Sequence, residues 1–403
     1  MRIVKERIAS RLNENVIFLL IVGFVFLFGM LTLIKTERKS SVSENRTLAK
    51  FEHFTVDKFI DGTFQSNFEN ALSDQFPKSE TIKVVYGNMM NKLPDFGMGQ
   101  AVCSGRYVTV PGSTDNNRVT FNCDDYIMYR ASTMDESQKK IFKQNVAKYN
   151  HVNGLVDTYY YFINDATTYD FSKGEKTVDY KMLLEERLKG KYHLATFEYD
   201  GYDEFKKYFY KTDHHWNYVG SYRGYVEIAK MLGIKDVASP VEVFTNGETT
   251  YGSHARNLRY YEYQEDFAFY TFNIPMHDTR INKKVEEYGH YNDYIQHNYV
   301  YNKNMNYYSY VYGSDRGEIT FDFHQPKKEN LLLLSNSFSN PVNVLIAQHF
   351  DKTYVVDLRY YKKQIGEEFK ISDYIKNNKI DKVLFIMSPT FVTKNDSNQG
   401  LEK

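Results

Sequence analysis

Neither sign of charge prevails in this sequence: 51 lysines and arginines stand against 51 aspartates and glutamates over 403 residues. Such a balance gives no electrostatic case for a nucleic-acid partner. No basic stripe with interleaved aromatics is present, and the glycine patterns that cradle nucleotide phosphates are missing too. Cysteine is scarce, with only Cys103 and Cys123. Neither lies in a Cys-x-x-Cys or Cys/His spacing, which argues against zinc. Gly105, Pro111-Gly112 and Asp115-Asn116-Asn117 between them form turns, which leaves open either a disulfide across a hairpin or two free thiols. Tryptophan occurs once, whereas tyrosine occurs 36 times. So many tyrosines fit either a sugar-contacting surface or a codon bias shared with Phe, Asn, Lys and Ile. Many of them fall in strand-like patterns where they pack.

What the chain does have, near its start, is the uncharged run Val16 to Ile34. At ~1.5 Å per helical residue it nearly spans the ~30 Å of a bilayer's hydrocarbon. Arg2, Lys5, Arg7 and Arg11 precede it, and Lys35, Arg38 and Lys39 follow, too even a split to set orientation alone. The run exceeds the apolar core of a secretory signal, and Thr36-Glu37-Arg38-Lys39 offers no small-residue cleavage site. The expectation is an uncleaved, single-pass anchor in the cell membrane (span 16–34) with a short cytoplasmic tail, together residues 1–38. A juxtamembrane linker, 39–50, and an extracytoplasmic domain, 51–403, would follow. The rival reading of the run is a buried core helix.

Beyond the linker, Phe59, Ile60, Phe64, Phe68 and Leu72 recur at helical spacing until Phe76-Pro77. Val156 to Ile163 is a continuous apolar and aromatic run, the mark of a strand buried on both faces. Leu331–Leu334, 352–357 and Lys382–Met387 read as further strands, separated by helices at 342–350 and 371–377. A strand-rich insertion occupies about 238–325. Alternating strands and helices predict an α/β fold whose parallel sheet is covered by helices on both sides. Ligands of such sheets meet the carboxyl ends of strands, here after Ile163, Leu334, Val356 and Met387.

Two segments carry chemistry. Ser335-Asn336-Ser337-Phe338-Ser339-Asn340-Pro341 links a strand to a helix, where a serine hydroxyl is exposed and backbone N–H groups face a developing oxyanion. Helix capping by Ser337 or Ser339 is the plainer alternative. The second is Thr212-Asp213-His214-His215-Trp216-Asn217. In extended chain, Asp213 and His215 point the same way, so the carboxylate could fix the imidazole while its other nitrogen serves a serine. A merely packed turn is again the alternative. Adjacent His214 and His215 rarely share one metal ion. His290, Asp293 and His297 have helical spacing but a Tyr- and Asn-rich setting, so no metal is expected.

Together these segments resemble the bacterial DHHW family, which is similar to the SGNH hydrolase-like proteins that O-acetylate alginate. Asp213-His214-His215-Trp216 stands complete, and Ser335-Asn336-Ser337-Phe338-Ser339 matches the serine block, with Ser and Asn at its first two positions. Glu44-Asn45-Arg46-Thr47-Leu48, Asp61-Gly62-Thr63-Phe64, Ser73-Asp74-Gln75-Phe76-Pro77 and Asp357-Leu358-Arg359-Tyr360-Tyr361 extend the resemblance over about 44–390. It implies a permuted SGNH-hydrolase-like three-layer α/β/α sandwich, since the order Asp, His, Ser reverses the usual one. It further implies a triad of Ser337 as nucleophile, His215 as base and Asp213 as its partner. A left-handed backbone at position 335 would strain Ser335, where the family has glycine. Gly252 and Asn164 are candidates for the oxyanion site, Arg359 for substrate, and Trp216 for either.

The reading that follows is an extracytoplasmic serine acyl-transfer enzyme, an O-acetyltransferase or acetyl esterase. It would act on cell-envelope or exported polysaccharide without a cofactor, with a membrane partner as possible acetyl donor. The alternative is a catalytically inactive relative that binds polysaccharide or assists envelope assembly.

Overall fold

The structure, a computed structural model, describes residues 16, 18–20, 22–24, 26–27, 29–32, 38–41, 46–78, 81–82, 85, 107–109, 119–123, 126–129, 131–171, 173–258, 263, 265–286 and 306–402. The chain divides into two compact units, Met1–Pro94 and Asp95–Lys403. Cys103 lies outside the described residues, and with it any pairing to Cys123.

In the first unit, the expected anchor 16–34 is described in part: those residues are helical, with exposed apolar side chains such as Phe18, Leu20 and Phe26. Among the described residues no helix is long and apolar enough to cross a membrane. The apolar periodicity of 59–72 belongs to two helices, Val56–Ile60 and Thr63–Gln75. Asp61 makes the break, its carboxylate accepting the Thr63 N–H at 2.9 Å and the Thr63 hydroxyl at 2.6 Å.

An eight-stranded sheet organises the second unit. In chain order its strands are β1 (Asp157–Ile163), β2 (Tyr192–Phe197), β3 (Asp278–Ile281), β4 (Lys284–Glu286), β5 (Glu318–Asp322), β6 (Leu331–Ser335), β7 (Lys352–Val356) and β8 (Lys382–Met387). Across the sheet they lie β4-β3-β5-β7-β6-β8-β1-β2. The five strands from β7 to β2 are parallel, whereas β5, β3 and β4 extend the sheet antiparallel. The fold is therefore mixed α/β with a parallel-rich sheet. The antiparallel part comes from the strand-rich stretch 238–325. Its two-residue link Asn282-Lys283, both at positive φ, suits a hairpin and is far too short for a parallel crossover.

The all-apolar strands divide their side chains between two cores. Tyr159, Tyr161, Leu331, Leu333, Leu384 and Ile386 face one; Tyr160, Phe162, Leu332, Leu334, Val383 and Phe385 face the other. The first core is closed by helices α3 (Gly201–Tyr208), α4 (Tyr218–Met231) and α5 (Asn343–Ala347), through residues such as Phe205, Ile228 and Ile346. The second is closed by α1 (Glu136–Asn153), α2 (Tyr180–Glu185), α6 (Ile371–Asn378) and α7 (Pro389–Thr393), through Tyr149, Leu184, Ile371 and Phe391. Burying each strand on both sides is what makes the period-two alternation disappear from its sequence. Apart from this sandwich, Glu242–Thr250 and Glu265–Thr271 form a separate antiparallel pair, flanking a short helix, Ser253–Leu258.

Candidate active site

Phe209 and Trp216 form an antiparallel bridge. The Tyr210 N–H donates to the His215 carbonyl at 3.2 Å and the Asn217 N–H to the Tyr208 carbonyl at 2.7 Å. The closed loop between them carries Asp213 and His215. Asn217 then caps α4, its side-chain oxygen accepting the Val219 and Gly220 N–H groups at 3.0 Å each, which fixes the loop's exit. Trp216 is fully buried against Phe197 and Phe338. A Cβ at position 224 would come within 2.4 Å of its ring, so only Gly224 admits it. Expected among the site residues, Trp216 instead ties the loop to the core and does not line the cavity beside Ser337.

From the other side, β6 delivers the serine block. Ser335 ends the strand in a backbone that is not left-handed, so the strain envisaged at this position does not arise. Its hydroxyl donates to the Ile386 carbonyl at 2.9 Å, tying β6 to β8. Asn336 caps the following 3-10 turn, Ser337–Ser339, by accepting the Phe338 N–H at 3.1 Å. Of the two departures from the family pattern, Ser335 thus joins neighbouring strands and Asn336 caps the turn.

These two loops meet. His215 Nδ1 lies 2.6 Å from Asp213 Oδ1, and His215 Nε2 lies 2.8 Å from Ser337 Oγ. Asp213 also accepts the His215 N–H at 3.0 Å on Oδ1 and the Ser253 N–H at 2.6 Å on Oδ2. Burial by itself would raise the Asp213 carboxyl; the imidazoles of His215 and His214 overcome it and hold it well below the usual carboxylate range. A carboxylate only accepts, so Nδ1 carries the proton and Nε2 is left to take one from Ser337. Asp213 and His215 are 7% and 5% exposed, whereas Ser337 is only partly buried. The arrangement is a buried hydrogen-bonded chain ending on a partly exposed serine. Among the described residues the Ser337 N–H has no partner, and is available to an oxyanion formed at its own side chain.

The remaining sequence candidates separate. Arg359 lines the cavity beside Ser337, about 120 Å³ in volume. Its guanidinium is oriented by Asp357, Nε to Oδ1 at 2.9 Å, and by Asp315, Nη2 to Oδ2 at 3.2 Å. Asn164 spends an amide N–H on the Phe197 carbonyl, 3.1 Å away, tying β1 to β2. The Gly252 N–H is engaged by Thr212 Oγ1 at 2.7 Å. A Cβ there would sit 2.4 Å from both Asp213 Cβ and the Thr212 carbonyl oxygen. Gly252 is therefore the backing of the Asp213 turn and not an oxyanion donor.

Three residues escape sequence reasoning. Tyr308 stacks on the His215 ring at 3.7 Å and donates its hydroxyl to the Ser337 carbonyl at 2.8 Å. Nothing marks it among the many tyrosines. Glu265 reaches in from the separate strand pair and accepts the Lys211 N–H at 2.7 Å, the Thr212 N–H at 2.9 Å and the Thr212 hydroxyl at 2.5 Å. Burial pushes its carboxyl up to about 7, against the pull of these hydrogen bonds. Ser253, beside Gly252, holds Asp213 through its N–H and lies 2.7 Å from His214 Nδ1 through its hydroxyl. Asp213, His214 and His215 could also each offer one ligand atom to a cation, but whichever His215 nitrogen and Asp213 oxygen it took already holds a hydrogen bond described above. His290, Asp293 and His297 lie outside the described residues.

Several solved structures resemble this chain. A DHHW family protein from Eubacterium siraeum superposes with a TM-score of 0.54 at 19% identity, covering 73% of this chain and 97% of that one. The two share a fold. PatB1 of Bacillus cereus, solved with a sulfonyl adduct, gives a TM-score of 0.55 at 16% identity, covering 73% of this chain and 99% of its own. The O-acetyltransferase domain of Pseudomonas putida AlgJ covers 72% of this chain and 93% of its own at 11% identity, and diverges further, with a TM-score of 0.36. The resemblance to DHHW proteins first seen in the sequence motifs thus extends to the fold. No family model matches the chain, and no curated protein does either.

Proposed function

We propose that the protein is a serine acyl-transfer enzyme that works outside the membrane on cell-envelope or exported polysaccharide, as an O-acetyltransferase or acetyl esterase. One observation carries the reading: the unbroken order Asp213, His215, Ser337, with hydrogen-bond distances of 2.6 and 2.8 Å. In the proposed reaction Ser337 Oγ attacks an ester carbonyl as its proton passes to His215 Nε2. Asp213 stabilises the imidazolium and the Ser337 N–H binds the oxyanion. The imidazolium then protonates the leaving alkoxide. Water or a sugar hydroxyl next gives its proton to His215 and takes the acyl group, and His215 returns that proton to the departing Ser337 oxygen. The small cavity beside Ser337, with Met128 and Phe338 next to Thr167 and Arg359, suits a short acyl group passing to a hydroxylated acceptor.

The sequence resemblance to alginate-acetylating proteins supports the polysaccharide, and the uncharged run 16–34 supports a membrane anchor, with a cytoplasmic N-terminus as part of the proposal. A membrane partner supplying acetyl groups is part of the same proposal. The test is reaction of the full chain, in detergent, with a fluorophosphonate serine probe, followed by mass mapping. The expected result is labelling at Ser337 that disappears in Ser337→Ala and in His215→Ala. A folded wild-type protein that takes up no probe would refute the enzyme.

A further inference from the structure

The antiparallel end of the sheet leaves a broad groove on the face of the second core. Register sets Arg280, Thr320 and Tyr354 side by side across β3, β5 and β7, with Glu318 two residues along β5 on the same face. Helix α6 supplies one wall, through Asp373, Tyr374 and Asn377. The groove holds about 530 Å³ against about 120 Å³ beside Ser337, and shares no lining residue with that cavity. Its size falls in the ~300–1,000 Å³ range of small-molecule sites.

We propose that this groove binds a neutral saccharide segment, held by Glu318, Arg280 and the ring of Tyr354. Glu318 is 5% exposed, and one carboxyl oxygen accepts the Tyr374 hydroxyl at 2.7 Å. Among the described residues its other oxygen has no partner, although the side chain lines the groove. That oxygen opens onto the groove, so an otherwise buried carboxyl presents one free acceptor to a ligand hydroxyl that takes the place of water. Arg280, exposed across the floor, has no acidic partner among the described residues and presents the complementary donors. Tyr354 is half-buried and offers an apolar ring.

Charge and backbone narrow the ligand class. Four cations, Arg280, Lys283, Lys352 and Lys370, are matched by four acids, Glu318, Glu367, Glu368 and Asp373. With no net charge, the groove has no field to concentrate a polyanion or a polycation. A peptide strand finds no purchase either, because β3, β5 and β7 each already pair on both sides, which leaves no edge to extend. Interspersed donors and acceptors beside an aromatic ring match the hydroxyls and apolar face of a sugar. The proposal stands whether or not Ser337 is a nucleophile.

The test presents the full chain, in detergent, to an array of tetrasaccharides. The array holds neutral gluco-, manno-, galacto- and N-acetylglucosamine types, with a uronic-acid tetrasaccharide for comparison. Titration calorimetry follows on the strongest neutral binder. Binding is expected to weaken at least tenfold in Arg280→Ala and in Glu318→Ala and to be unchanged in Ser337→Ala. Because Arg280 is exposed, its variant should keep the wild-type melting temperature and probe labelling. The proposal is overturned if no neutral tetrasaccharide binds, or if the uronic-acid probe binds more tightly. It is equally overturned if affinity survives Arg280→Ala or disappears in Ser337→Ala.

Discussion

Replacing Asp213 by asparagine keeps the shape of the side chain but sets its two hydrogen-bonding duties against each other. The native Oδ1 serves both the His215 N–H and Nδ1, and Oδ2 accepts the Ser253 N–H at 2.6 Å. If the amide oxygen faces His215, the amide nitrogen meets the Ser253 N–H, donor against donor, in a buried place. Losing a charge-assisted bond and stranding that N–H costs about 1.5–3 kcal/mol. If the amide flips, its N–H₂ faces Nδ1, forcing the imidazole proton onto Nε2, where it can no longer take one from Ser337. Either orientation also removes the charge that stabilises the imidazolium. A drop of about 10⁴ in acylation rate is expected, or about 5.5 kcal/mol at ~1.4 kcal/mol per decade. The assay is the rate of fluorophosphonate labelling at Ser337 beside a thermal melt. Because the Asp213 carboxyl is depressed in the folded state, its stabilisation is present above the ordinary carboxylate value near 3.8 and is lost as pH falls through the folded value. Asp213→Asn should therefore melt lower than wild type at pH 7, the gap closing in acid. A variant that labels at the wild-type rate with an unaltered melt would refute the role of Asp213 and the tautomer argument together.

Three further outcomes follow from contacts around the same loop. In Gly252→Ala the new Cβ would lie 2.4 Å from Asp213 Cβ and the Thr212 carbonyl. A stability loss of about 1–3 kcal/mol is expected by thermal melt, with labelling slowed about 10²-fold by displacement of Asp213; a silent substitution would contradict the tight backing. Tyr308→Phe removes the hydrogen bond to the Ser337 carbonyl but keeps the stacked ring, a change of about 0.5–1.5 kcal/mol. Tyr308→Ala also frees the His215 ring, so its labelling rate should be much the lower of the two, and equal rates would count against ring stacking as the positioning force. Glu265, raised from 4.5 to about 7, favours the folded state in its protonated form. Its contribution is full below pH 4.5 and is lost as pH rises through 7. Glu265→Gln should flatten the melting-temperature profile across that window, and an unchanged slope would remove Glu265 as its source.

The local signals were strong where a residue's surroundings are dictated by its own strand or turn. Val156–Ile163 read as a doubly buried strand and Leu331–Leu334 as a strand because both faces of each are covered, and each supplies side chains to both cores. The Asp213–His215 contact is likewise local, although its cause is a bend over 211–215 rather than extended chain, with Asp213 Oδ1 accepting the His215 N–H as well as facing Nδ1. The helical periodicity of 59–72 gave a helix, but not the break at Asp61, because periodicity does not register a turn that preserves the apolar face.

Contacts between distant segments carry no such period. Ser337 lies 122 residues from His215, and its distance to the imidazole is set by how β6 and the 209–216 loop meet. Tyr308 and Glu265 reach the loop from segments whose sequence gives no hint of it. Trp216 shows the converse: its place in a conspicuous motif suggested contact with substrate, whereas the volume vacated by Gly224 draws it into the core. Composition, element types and the spacing of the reactive side chains were thus determined by the sequence alone, because they depend on neighbours a few residues away. The strand order, the antiparallel extension, the hydrogen bonds that hold Asp213 and the groove at Glu318 were decided only by tertiary structure. They depend on which faces remain to be buried once the local elements have formed.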